Sequence, residues 1–172
     1  RIPIFDDRVA TVRVTDDPLA AIDAAGADDW PLGLVPERER ADRYLGYDVE
    51  TVADIADGAP GATLVKADGA RLREFKAPGD REPQVPETAD VVVPIGSVHV
   101  VGEPLTDDLV HRPERVAAIT GRALGEPIRP ADVAAVLASP DGGLKGVPDG
   151  ATAIPMINKV DDEADAAAAR EI

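Results

Sequence analysis

Short apolar runs alternate along this chain with helix starts that proline marks, and this alternation limits the folds open to it. Residues 9–14 (VATVRV), 62–67 (ATLVKA), 90–95 (DVVVPI) and 151–157 (ATAIPMI) read as strands, and 98–101 as a strand extension or a turn back. Asp17-Pro18, Pro113 and Pro130 read as helix starts, because the first turn of a helix leaves unpaired the N–H that proline lacks. Asp17 and Asp48 are the expected N-caps of helices over about 18–25 and over VETVADIA. Gly121 is expected to stop the helix that Pro113 opens, and 162–171 to form an acidic, alanine-rich helix. Apolar strands separated by helices predict an α/β fold, three-layered around a mainly parallel sheet, with 1–172 as one domain.

Composition narrows the function classes. No cysteine is present, which excludes disulfide scaffolds, thiolate metal sites and cysteine nucleophiles. No apolar run reaches the ~18–20 residues of a membrane span, and no basic start precedes an apolar block. A cytoplasmic protein with no membrane partner is the expectation. Acidic residues number 33 against 18 basic, a net charge of −15, and comprise 22 Asp and 11 Glu beside 14 Arg and only 4 Lys. With 29 Ala, this balance suggests a surface suited to high salt, as in a halophile, where carboxylates hold water and cations and screening removes their repulsion. Disorder is the other outcome of high net charge, and the recurring apolar segments oppose it. An acidic field also argues against nucleic acid as a partner.

Three stretches carry candidate chemistry. Asn158-Lys159-Val160-Asp161 follows a predicted strand, at the end where open α/β sheets bind ligands. The Asp161 carboxylate could accept two parallel hydrogen bonds from guanine, the Asn158 amide could serve another edge, and the Lys159 stem could lie on the ring. The plain alternative is that Asp161 caps the last helix and Lys159 is solvated. Asp68, at the end of predicted strand 62–67, resembles the second metal motif of phosphate-loop proteins and is the candidate magnesium ligand; an ordinary Asp-Gly turn is the alternative. Gly143, Lys145 and Gly146 lie in a glycine-rich loop able to approach an anion or merely to connect a helix to a strand. No Gly-Lys pair occurs, so the phosphate-loop signature itself is not in this sequence. The two histidines, His99 and His111, have no second histidine at ligand spacing, which argues against a zinc site; capping or packing is expected of His111.

The ordered motifs LVKADGARLREFKAP, REPQVP, DVVVPIGS, VGEPL, VHRPERVAAITG, PDGGLKGVP and PMINKVD, spanning about 62–162, resemble the YqeC family of selenium-dependent hydroxylase accessory, or selenium cofactor biosynthesis, proteins. Residues 1–61 resemble it loosely. The resemblance implies a phosphate-loop-type nucleotide-binding fold, with the glycine-rich loop upstream of Arg1. By position it carries over Asp68, Asn158, Lys159 and Asp161. It also carries over Lys76 of a Lys-Ala-Pro motif, Glu82-Pro83, His111-Arg112-Pro113, and Gly143, Lys145, Gly146 and Pro148. Lys66 stands where the family usually has an acid.

The expected function is therefore binding of a nucleoside triphosphate, GTP in preference, with Mg2+. The protein would act as an accessory to a molybdenum hydroxylase or its cofactor machinery, with NTP hydrolysis open. The alternatives are a non-hydrolysing cofactor- or partner-binding module, and transfer of a phosphoryl or nucleotidyl group to a cofactor precursor. The charge balance makes one prediction independent of function. Raising KCl to molar levels should raise the melting temperature in a thermal melt; a flat or falling response would remove the high-salt reading.

Overall fold

The computed structural model describes residues 2–172. Arg1, the point beyond which the sequence reading places an upstream segment, lies outside the described residues. The chain forms two compact units, residues 1–66 and 67–172.

In the first unit, β1 (Ile2–Pro3) pairs antiparallel with β4 (Arg43–Tyr44), and β2 (Thr11–Val14) pairs parallel with β3 (Leu32–Val35). The crossover between β2 and β3 contains α1 (Pro18–Asp23), with proline in its first turn and the Asp17 side chain accepting the Ala20 N–H. Packed on α1 is α2 (Val49–Gly58), capped by Asp48 through the Thr51 N–H. Both caps fall where the sequence places them. Val35, Tyr44, Ile22 and Ile55 are buried; the Tyr44 hydroxyl donates to Asp6 at 2.7 Å, and Phe5 meets the Tyr44 ring edge-on.

In the second unit, three pairs are all parallel. They are β5 (Phe75–Lys76) with β8 (Val110–His111), β6 (Val91–Val92) with β9 (Thr152–Ala153), and β7 (Ile95–Ser97) with β10 (Met156–Asn158). The last two pairs share one register, Val92 opposite Ala153 and Ile95 opposite Met156. The break between them coincides with Pro94 and Pro155, neither of which can donate to a ladder. The predicted strands 90–95 and 151–157 are thus each cut by a proline. Residues 98–100 turn back as one 3-10 turn, where the Ser97 side chain accepts the His99 N–H.

Helices α3 (Pro113–Thr120), α4 (Pro130–Leu137) and α5 (Glu163–Arg170) complete the unit. Gly121 ends α3 in the left-handed conformation, as the sequence predicts. Asp132, 3% exposed, accepts the Arg129 N–H at the start of α4 and is ion-paired to Arg129 and Arg122, so its buried charge is matched. The core is Phe75, Val100, Leu105, Val110, Val116, Ile128, Val133, Val136 and Leu137.

One predicted strand is absent. Residues 62–70 are irregular, and Leu64 is 96% exposed. A short apolar run needs a neighbour to pair with and a face to bury. This run joins no ladder among the described residues, its one backbone pairing being the Gln84 N–H to the Ala67 carbonyl, and it is mostly exposed. Asp68 therefore does not end a strand, and the strand-end basis for its metal role fails. Leu105 is fully buried; Leu105→Ala should destabilise the second unit by about 2–5 kcal/mol in urea unfolding.

Candidate functional site

Phe75 of β5 is buried, while its chain neighbours Glu74 and Lys76 are half-buried. Each is the anchor of one charged cluster. Lys76 Nζ lies 2.6 Å from Glu82 Oε2 and 2.7 Å from Asp68 Oδ2, and also donates to Asp68 Oδ1 at 2.8 Å. Arg112 grips Glu82 with both terminal nitrogens, Nη1 to Oε2 at 2.6 Å and Nη2 to Oε1 at 3.3 Å. The Gly79 N–H donates to the same Oε2 at 3.3 Å. Arg112, then Lys76 and the Gly79 amide, hold the Glu82 carboxyl far below the usual glutamate range, against the opposing effect of burial.

The backbone is shaped around these contacts. Arg112 caps α3 at φ 63, ψ 60, a left-handed conformation costing a non-glycine residue about 1–3 kcal/mol. Its grip on Glu82 offsets that cost. A Cβ on Gly79 would stand 2.9 Å from the Arg112 Cζ, so the loop must carry glycine for the guanidinium to lie across it. Lys145 Nζ donates to the Gly79 carbonyl, and Arg115 donates to the Pro78 carbonyl at 3.3 Å and to Asp80 at 2.7 Å. A hollow of about 440 Å3 opens beside them, lined by Asp80, Arg115, Ile119, Ser139, Asp141 and Lys145. His111 lies across the ladder from Lys76. Burial first, then Arg112, Lys76 and Arg71, push its pKa down, against the opposing pull of Glu82.

Glycines of the loop after α4 differ in role. Gly143 donates its N–H to Val136 O at 2.8 Å, and a Cβ there would stand 2.3 Å from Leu137 O. Gly143 therefore serves close backbone packing at the end of α4 rather than an open anion cradle. Gly146, at φ 69, faces Pro83 beside the Glu82 cluster.

The second cluster gathers at the carboxyl ends of β7 and β10, where Asn158 is opposite Ser97. Lys159, at φ 57, sends its ammonium to both oxygens of Glu74 at 2.7 Å and holds that carboxyl below its usual range, with Ser97 adding to the effect. Asp162, not Asp161, caps α5 by accepting the Asp165 N–H. Asp161 donates its own N–H to Asp165 Oδ2 at 3.1 Å and leaves its carboxylate exposed.

The predicted site residues thus divide. Asp68, Lys76, Arg112, Lys145 and Gly146 converge, with His111 alongside; Asn158, Lys159 and Asp161 form a separate group. Glu74, Asp80, Arg115, His99 and Asp165 were not predicted as site residues. Glu74 and Lys159 are 85 positions apart, a pairing no local pattern signals.

The family model described as YqeC protein matches residues 7–114, more than half of the chain. A relative from Escherichia coli (strain K12), described as "Uncharacterized protein YqeC", is 32% identical over 96 residues. That alignment covers 56% of this chain and 38% of the relative. No solved structure matches. The family match takes in the first unit, where the motif resemblance was loose, and ends before Lys145 and Asn158.

Because Glu82 titrates lower in the folded than in the unfolded chain, its network stabilises fully above the ordinary glutamate value of about 4.3 and loses that stabilisation as pH falls below it. Glu82→Gln should cost about 1–3 kcal/mol at pH 7 in urea unfolding. The gap from wild type should narrow as pH drops from 5 towards 3, and a gap constant with pH would refute the assignment.

Proposed function

The chain belongs to the YqeC family, and from that premise we propose that it binds a nucleoside triphosphate, with GTP preferred. Its role would be as an accessory to the maturation of selenium-dependent molybdenum hydroxylases. The maturation role comes from the family resemblance and the binding role from the geometry. One observation carries the latter: in a chain of net charge −15, four cations from three motifs, Lys76, Arg112 and Arg115, and Lys145, gather about the loop 77–82.

The electrostatics support a polyanionic ligand. Lys145 and one arm of Arg115 are held by neutral carbonyls, Gly79 O and Pro78 O. A phosphate oxygen in place of either carbonyl would set a negative acceptor against a donor that is already cationic, turning the hydrogen bond into an ion pair. The planar guanidinium of Arg115 suits two phosphate oxygens at once, while Lys145 acts as a point charge. Asn158 and Asp161 would read the guanine edge from the carboxyl end of β10, while Glu74 fixes the Lys159 stem beside them.

Magnesium belongs to this reading as the ion a triphosphate carries with it. Asp68 does not fit a resident magnesium ion as it stands, because Lys76 holds both of its oxygens.

A second reading, a binding module without turnover, is favoured by a different feature. Lys76 and Arg112 are already neutralised by Glu82 and Asp68, so that half of the cluster is a closed structural unit. Thermal shift in molar KCl with magnesium separates the outcomes. Binding raises the melting temperature by mass action, so GTP should raise it more than ATP. Asp161→Ala should equalise the two nucleotides without lowering the ligand-free melting temperature by more than about 2 °C. Equal shifts with GTP and ATP in the wild-type chain would sink the base-recognition claim. No shift with either would sink nucleotide binding. Release of phosphate under the same conditions would remove the no-turnover reading.

A further inference from the structure

The segment after β10 does more than follow a strand. His99, on the turn after β7, Asp161, in the loop after β10, and Asp165, in the first turn of α5, each bring one ligating atom to one place, all within 4.8 Å of one another. These residues come from three elements brought together by the parallel pairing of β7 with β10 and by α5 packing on residues 98–100. We propose that His99, Asp161 and Asp165 form a binding site for a divalent first-row transition-metal ion, such as zinc or manganese.

Three features distinguish this trio from an ordinary patch of surface acids. The first is the donor set. An imidazole nitrogen beside two carboxylate oxygens suits zinc or manganese, whereas magnesium favours oxygen alone and keeps most of its water. Second, the charge is uncompensated. The one nearby lysine, Lys159, is committed to Glu74 by two contacts of 2.7 Å. Among the described residues no lysine or arginine pairs with Asp161 or Asp165. The imidazole of His99 lies beside them, with Nε2 3.6 Å from Asp165 Oδ2. Third, the trio is held in place from the backbone. Ser97 accepts the His99 N–H at 3.2 Å, Asp165 Oδ2 accepts the Asp161 N–H at 3.1 Å, and Asp162 accepts the Asp165 N–H at 2.8 Å.

Spacing is compatible with an ion. Ligands bound at about 2.0–2.2 Å around one centre stand about 3–4.4 Å apart. The side chain of His99 is 44% exposed and that of Asp165 23%, so rotamer changes can draw the three ligating atoms closer around an ion. Water would complete the shell on the exposed side. The ion and the guanine reading share Asp161 only. A carboxylate bound to an ion through one oxygen keeps the other free for only one of the two guanine hydrogen bonds, so the two ligands would compete in part for Asp161. His99 and Asp165 belong to the metal site alone, so the two proposals fail separately.

The test uses the full chain without nucleotide. His99 and His111 are its only histidines, so the imidazole spectrum contains two sets of ring signals and His111 is an internal control. Stoichiometric zinc chloride in 1 M KCl should shift the His99 ring signals in NMR and leave those of His111 in place. Calorimetric titration should give one ion per chain, with zinc bound at least tenfold more tightly than magnesium. His99→Ala and Asp165→Asn should each weaken zinc at least tenfold, whereas Asp107→Asn, outside the trio, should not. Asp165→Asn retains the oxygen that accepts the Asp161 N–H, so it guards against a folding artefact. Equal movement of both histidines, or neither, would overturn the proposal. So would zinc affinity unchanged in both variants, or lost equally in Asp107→Asn, as diffuse binding to surface carboxylates predicts.

Discussion

Glu82 is the point on which the second unit's charged architecture turns. One carboxylate accepts from Lys76 at the end of β5, from Arg112 at the start of α3 and from the Gly79 amide between them. Removing it would leave two cations facing each other in a partly enclosed site and would release the contact that offsets the left-handed backbone of Arg112. Motifs whose roles sequence alone leaves open, Lys-Ala-Pro, Glu-Pro, His-Arg-Pro and Lys-Gly-x-Pro, become parts of one assembly around this carboxylate. Their prolines and glycines shape the loops, and their charged members meet at the centre.

Around this assembly the unit separates structural charge from available charge. Asp132, Arg122 and Arg129 form a matched set at the start of α4, and Asp132 is held ionised by Arg129. Such a set orients a helix start and leaves little capacity for a ligand. Lys145, by contrast, rests on a backbone carbonyl at the rim of a hollow, beside an Arg115 shared between the Pro78 carbonyl and Asp80, and among the described residues no lysine or arginine pairs with the carboxylates of Asp161 and Asp165. Cations on neutral acceptors and paired carboxylates without cations are the places where a ligand gains most. The two proposals rest on these two kinds of surplus.

The helices were legible in the sequence because their signals are local. Asp17-Pro18, Asp48, Pro113, Pro130 and Gly121 mark ends whose chemistry is decided within a few residues. Strands were less legible because pairing is not local. The run 62–67 has strand-like composition and joins no ladder among the described residues, while 90–97 and 152–158 pair in one register that Pro94 and Pro155 interrupt. The site was legible in part. Lys76, Arg112 and Lys145 could be picked from motifs, but the contacts that define their environment, Arg112 with Glu82 and Lys159 with Glu74, join residues 30 and 85 positions apart. His99 has no second histidine at ligand spacing in the sequence; its acidic neighbours arrive only when α5 packs on the turn after β7.

The central functional idea is that the loop 77–82, with its ring of cations, receives the phosphates of a nucleotide. Backbone amide NMR of the full chain, titrated with magnesium GTP in molar salt, locates the ligand residue by residue. Progressive shifts concentrated at Lys76, Gly79, Arg112, Arg115, Lys145 and Gly146, with a second set at Asn158 to Asp161, would show phosphate and base in the two clusters. Shifts confined to the first unit, or a spectrum unchanged at millimolar GTP, would contradict it and leave the Glu82 network as a structural device alone.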